Sequence, residues 1–368
     1  MKNMRNSTFV LSLVSLLPSV GCNLIGSKNS SDTPSSTCDI LVSSMHLQQQ
    51  NDQHLGYARK PVLDSTNVYW FEFDSSQGNT GGSIKTVQKA GGTVSTLASS
   101  LGGVNDLVSD GTNVYWTEFD LSTLAGSVKA VPKVGGTVVV LASGTPQGSI
   151  FPVAPLGITF DSNRVYWGEE ANGGAIRSVP KAGGQVVDVV RGQGPVGWFA
   201  LDSTSTYFYY DDGNTQGPGT FSRVPFGGGA SQVLAQVSSV DPGGLDLDNS
   251  FVYWISPHTT SVFEIPVAGG IPTNLVNQST FGGGSLAIDN SNVYFMASAS
   301  NGSSGVSKIA KTGGTPTAYG NCIIEPHHPT MNMAEDVAVD DTNVYVIGQP
   351  WPGAGSDLSV GMLAKFPK

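Results

Sequence analysis

The sequence predicts an all-β protein: a seven-bladed β-propeller of four-stranded antiparallel blades, its last blade closed by an N-terminal strand. Three observations carry this prediction. An Asp, a short polar turn and a Val-Tyr-Trp-like triplet recur seven times, at Asp64–Trp70, Asp110–Trp116, Asp161–Trp167, Asp202–Phe208, Asp248–Trp254, Asp289–Phe295 and Asp340–Val346. Successive Asp residues lie 46, 51, 41, 46, 41 and 51 positions apart, a spacing that suits one short-stranded blade per repeat. The composition agrees: 47 Gly and 12% charged residues in 368 positions suit a turn-rich β protein.

Taken in order, the chain opens on a basic start, Lys2 and Arg5, followed by an apolar stretch from Phe9 to Val20 that is short for a bilayer span. Ser19-Val20-Gly21-Cys22 resembles a bacterial lipobox, in which the Cys receives lipid; Ser19 departs from the usual Leu or Val. A plain secretory signal is the alternative, and either reading exports the protein. Residues 1–21 are thus read as a lipoprotein signal peptide, with Cys22 as the lipid-accepting residue. Residues 22–37, rich in Ser from Ser27 to Thr37, form a polar tether. The propeller is expected over residues 38–368.

The third repeat is the clearest blade. Leu156–Asp161 alternates as a first strand, Asp161-Ser162-Asn163-Arg164 is a turn, and Arg164–Glu169 is the second strand. Ala175–Pro180 is the third strand, Lys181-Ala182-Gly183-Gly184 turns the chain, and Gln185–Val190 is the fourth. The prolines at the same place in other repeats, Pro132, Pro225 and Pro266, belong at strand ends, because proline cannot donate to a ladder. The lysines of the Gly-Gly turns, Lys89, Lys133, Lys181 and Lys311, are read as solubilising turn residues. The Tyr-Trp triplets are read as core that fills the wedges between blades.

The last repeat stops at Lys365-Phe366-Pro367-Lys368, the end of a third strand. Cys38–Ser44 has the pattern of a fourth one, so Asp39–Ser43 is expected to complete blade seven and bring both ends of the propeller segment into one sheet.

The whole pattern (apolar strand, Asp, turn, Val-Tyr-Trp, a Val-Pro strand, Gly-Gly) resembles the YWTD repeat of low-density-lipoprotein-receptor-type propellers, with Tyr115-Trp116-Thr117-Glu118 nearest to that name. The resemblance covers about residues 56–368. Two features depart from it. The motif's final Asp is replaced, as by Glu118 and Glu72, and seven repeats stand where that family typically has six. The resemblance implies the fold, and a protein-binding role more weakly.

Loops between second and third strands, and loops between blades, vary in length and should emerge on one face, where function tends to reside. An acidic arc is expected there from Glu72, Asp74, Glu118, Asp120, Glu169, Glu170, Asp211 and Asp212, either a solvated rim or a cation or docking site. Phe151, Trp198 and Trp351 are candidate ligand-stacking aromatics, with capping of the core as the alternative. Glu325, His327 and His328 offer metal-ligand chemistry without a zinc spacing. Asn105, Asp106, Glu335 and Asp336 open inner strands and could line the channel. Cys38 and Cys322 could form a disulfide in an exported chain only if the long loop after Gly320 folds back.

The net charge of −10, about −12 without the signal, repels phosphate backbones, so no nucleic-acid partner is expected. No nucleophile elbow, zinc helix or phosphate loop occurs. These features point to a non-catalytic protein- or glycan-binding scaffold. It would be a monomeric ring without a cofactor, a structural cation aside, anchored through lipidated Cys22 to a bacterial envelope bilayer, the outer membrane first. The alternative is a metal-assisted propeller hydrolase or lyase using the channel residues.

Overall fold

The continuous apolar runs of the second strands decide the architecture: successive side chains leave opposite faces of a strand, so each sheet has two apolar faces that must both be covered. The computed structural model describes residues 39–46 and 61–368, apart from 121, 124, 145–154, 170–172, 193, 195, 211–217, 227–228, 239–241, 257–260, 278–283, 299–303, 320–330 and 351–359. The described strands form seven four-stranded antiparallel sheets, the blades of a seven-bladed propeller. The described residues contain no α-helix, only a short 3-10 segment at Ser75–Thr80.

Blade two illustrates the plan. From the channel outward its strands are Gly103–Ser109, Asn113–Asp120, Ala125–Pro132 and Val139–Gly144. In the second strand, Tyr115 points toward blade three and packs with Ile158, Val165 and Trp167. Val114 and Trp116 point the other way, toward Tyr69 and Phe71 of blade one. Each of the other blades repeats this division, so that one apolar cluster fills each of the seven seams. The triplet residues Trp70, Trp116, Trp254, Tyr69 and Tyr253 are among the largest fully buried side chains. In blade three the second and third strands run Arg164–Glu169 and Ala175–Pro180 as expected, while the outer strand begins at Val187 rather than Gln185.

The ring closes by an N-terminal strand. Asp39–His46 pairs antiparallel with Val360–Pro367 as the outer strand of blade seven, with Asp39 opposite Lys365 and Val42 opposite Leu363. The strand runs past Ser43, carried by two register shifts after Ile40 and Val42. The third-strand prolines sit at the last paired position, as Pro132 does opposite Asn113 and Pro266 opposite Phe251. The Gly-Gly turns need both glycines, since Gly91 and Gly92 have φ of 84° and 130°.

The turn lysines correct the reading of them as solubilising residues. Lys133 of blade two reaches back to Asp64 of blade one at 3.0 Å and lies 5.2 Å from the centroid of the Tyr69 ring. Asp64 also accepts from the Tyr69 hydroxyl at 2.7 Å and from the amides of Thr66 and Asn67. The same clasp joins Lys181 to Asp110, Lys311 to Asp248, Lys368 to Asp289 and Lys89 to Asp340. The last of these fastens blade one to blade seven, alongside the closing strand. Burial by itself would raise the Asp64 carboxyl. The bonds from Tyr69, the Thr66 amide, Lys133 and the Asn67 amide outweigh it and hold the group well below the ordinary aspartate range. Tyr115 moves oppositely: burial, aided by Asp110 against a bond from Asn113, pushes its phenol up to about 12.

Candidate functional site: the variable-loop end of the ring

The Asp turns and Gly-Gly turns occupy one end of the ring. The loops from second to third strands, and from each outer strand to the next blade, leave from the other end. Every candidate site residue among the described ones belongs to that second end.

Three members of the expected acidic arc are not an open surface. Glu72, Glu118 and Glu169 stand two residues after the triplet Trp, so they share its face of the sheet. Each accepts from that indole: Trp70 at 3.3 Å, Trp116 at 2.9 Å and Trp167 at 2.8 Å. Each is also paired with a cation of the third strand, Lys85 at 2.8 Å, Lys129 at 2.9 Å and Arg177 at 3.3 Å. That cation sits directly across the ladder from the Trp, as Trp116 does from Lys129. Glu118 further accepts from the Gly102 amide, between blades one and two. All three carboxylates are buried, at 4%, 4% and 8% exposure. A buried carboxylate needs a charged partner, and these have one. The signal was present in the chain as a basic residue directly after a branched apolar one (Ile84, Val128 and Ile176) in the third strands of blades one to three.

The other members of the arc divide in two. Asp120 turns back on its own loop, accepting from Ser122 Oγ at 2.6 Å and from the Ser122 and Thr123 amides. The Ser122 hydroxyl bond leads the lowering of its pKa. Asp74 is half-buried and its backbone brackets the loop, donating to Gly81 and accepting from Gln77. Glu170, Asp211 and Asp212 lie outside the described residues, as do Phe151, Trp351, Glu325, His327, His328, Cys22, Cys38 and Cys322.

The channel candidates sit inside inner strands, at β-bulges, rather than opening them. Register shifts fall between Val104 and Asp106 in blade two and between Ala334 and Asp336 in blade seven. A bulge frees a backbone amide and re-aims a side chain. Asp106 caps the Leu107 amide at 2.9 Å and reaches blade three through the Ile158 amide at 3.0 Å. Asn105 donates to the Pro155 carbonyl at 2.7 Å, and Thr117 to the Leu156 carbonyl at 2.6 Å. Asp336 caps the Val337 amide at 3.0 Å and accepts from Ser285 Oγ of blade six. Glu335 lies in the strand Met331–Val339. Asn105, Asp106, Thr117 and Asp336 stitch neighbouring inner strands together. Among the described residues, no group of three or more His, Cys, Asp or Glu side chains is placed to hold a metal ion.

Trp198 stands apart. It precedes the inner strand Phe199–Leu201 of blade four, its carbonyl accepts from the Tyr209 amide, and the residue is 39% exposed. It is the one aromatic among the exposed large apolar side chains described.

No protein-family model matches the chain, and no curated protein matches it in sequence. Solved structures do. The computationally designed Ika8 protein superposes with a TM-score of 0.54 at 13% identity, covering 88% of this chain and 98% of that one. A structure of the nidogen/laminin complex gives 0.49 at 16% identity over 69% of this chain and 93% of that one. TolB from Acinetobacter baumannii gives 0.49 at 16% identity over 68% and 62%. At 13% identity the likeness to Ika8 is one of fold alone.

Proposed function

We propose that this chain is an envelope-anchored, non-catalytic binding scaffold. Its ring takes a protein or glycan ligand at the variable-loop end, and lipidated Cys22 holds it to a bacterial bilayer, the outer membrane first. The observation that carries the reading is Trp198, the one exposed aromatic among the described residues, placed where loops vary. An indole offers a flat apolar face with a polar edge, which suits a sugar ring or a peptide side chain. The YWTD-like character of the repeats supports a protein ligand. The alternative hydrolase or lyase would need Asn105, Asp106, Glu335 and Asp336 for chemistry, and the bonds of Asn105, Asp106 and Asp336 to neighbouring strands favour the scaffold.

The test is to probe the full chain, with and without Trp198→Ala, against an array of cell-wall glycans and extended peptides. Binding should fall at least tenfold while the melting curve stays the same. Cys22→Ser should shift the protein from the membrane to the soluble fraction. Ligand binding indifferent to Trp198 would overturn the loop-end reading, and an unmoved Cys22→Ser protein would overturn the anchor.

A further inference from the structure

The seven seams are not alike. The residue that follows each third strand occupies one conserved slot, since its amide donates in every blade to the same turn carbonyl of its own sheet: Lys89 to Thr66, Lys133 to Thr112, Lys181 to Asn163, Phe226 to Thr204, Val267 to Ser250, Lys311 to Ser291 and Lys368 to Thr342. Five of these slots hold the clasp lysine that crosses to the preceding blade's Asp. Blade four has Phe226 and blade five has Val267. Asp161 and Asp202, which face those two slots, accept from their own turns and from Tyr166 and Tyr207. Phe226 instead stacks on Tyr166 with ring centroids 5.3 Å apart. The other seam is crossed without an ion pair, by Arg223 to the Val267 carbonyl at 3.2 Å and by the Gly270 amide to the Leu234 carbonyl at 3.3 Å.

The same two seams hold unpartnered polar groups. Thr206 takes the place of the triplet Val in blade four, and Ser222 sits across the ladder from Phe208, both toward blade three. Trp254 and Ser256 of blade five share a face toward blade four. All four residues are fully buried, and among the described residues Thr206 Oγ1, Ser222 Oγ, Trp254 Nε1 and Ser256 Oγ, four of seven such buried atoms, have no hydrogen-bond partner. Trp254 lacks its carboxylate because Ser256 stands in the Glu118 position. It lacks the cation because Phe263 stands in the Lys129 position, stacked on the indole at 5.2 Å. Here two effects act together. A buried polar group without a partner regains its bonds only when water reaches it, and a seam held by apolar contact without an ion pair has less to lose on opening.

The geometry points to blade four as the movable segment of the ring, opening along its seams with blades three and five while the other five seams stay fastened. Trp198 belongs to this blade.

Amide hydrogen exchange on the full chain tests this. Protection factors in Ser205–Tyr210 and Pro218–Pro225 of blade four should lie at least tenfold below those of Asn113–Asp120 and Ala125–Pro132 in blade two. Thr206→Val with Ser222→Ala, which removes two unpartnered hydroxyls, should raise blade-four protection selectively. Should that variant fail to fold, Val267→Lys, which offers Asp202 a clasp, should do the same. Lys181→Met should lower protection in blades two and three and leave the gap to blade four smaller. Equal protection in blades two and four, or fast exchange in blade four that neither repair slows, would overturn the inference.

Discussion

At the scale of single residues, similar side chains in neighbouring positions do opposite work. Glu118 is buried with Trp116, Lys129 and Gly102, whereas Asp120, two positions on, bonds only to its own exposed turn. Glu118→Ala strands a part-buried lysine and a buried indole, so it should cost about 2–4 kcal/mol. Asp120→Ala should cost about 0.5 kcal/mol. Urea unfolding of the two variants checks this, and equal costs would contradict the triad. The clasps set the response to pH. Asp64, Asp110, Asp289 and Asp340 are all held low in the folded state. Below about pH 4 the unfolded chain's aspartates take up protons that the folded ones refuse, so stability present at neutral pH is lost as pH falls. At the alkaline end the sign reverses in source. Tyr115 stays neutral up to about 12, while an unfolded tyrosine ionises near 10, so stability is lost as pH rises through that interval. Melting temperatures at pH 3, 7 and 11 should peak at 7, and Asp110→Asn should flatten the acid limb.

At the scale of elements, period-two alternation was enough to place each triplet. Tyr and Trp are adjacent in sequence, so they must leave opposite faces of the strand and serve two different seams. The closing strand was legible for the same reason: a lone outer-strand pattern at one end and a missing outer strand at the other. Its pairing with Val360–Pro367 contributes Val42 to the cluster between blades seven and one. Deleting residues 38–44 exposes that third strand as an unpaired edge and opens the cluster. The deletion should lower the melting temperature far more than deleting residues 23–36, and equal melting temperatures would argue against the closure. The bulges were not legible. Alternation alone cannot reveal the residue inserted at Asn105-Asp106 and at Glu335-Asp336. The register shift turns Asp106 and Asp336 onto neighbouring strands.

At the scale of the whole molecule, repeats of one pattern build a ring whose seams differ, and the difference bears on function. Blade four lacks the clasp on either side and carries the exposed Trp198, so a ligand seated on that indole would also restrain the loosest blade. Ligand binding should then slow exchange in blade four more than elsewhere. The sequence by itself determined the blade number, the strand order within a blade, the closing strand and the core triplets. Those features follow from short-range periodicity, turn chemistry and a repeat count, all of which are local. Only the tertiary structure decided the partners of the charges. Lys133 and Asp64 are 69 positions apart, and Lys89 and Asp340 are 251 apart. Whether such a lysine is a solvated turn residue or a clasp depends on the curvature that brings one blade's turn onto its neighbour's. That curvature belongs to the closed ring, and no single repeat contains it.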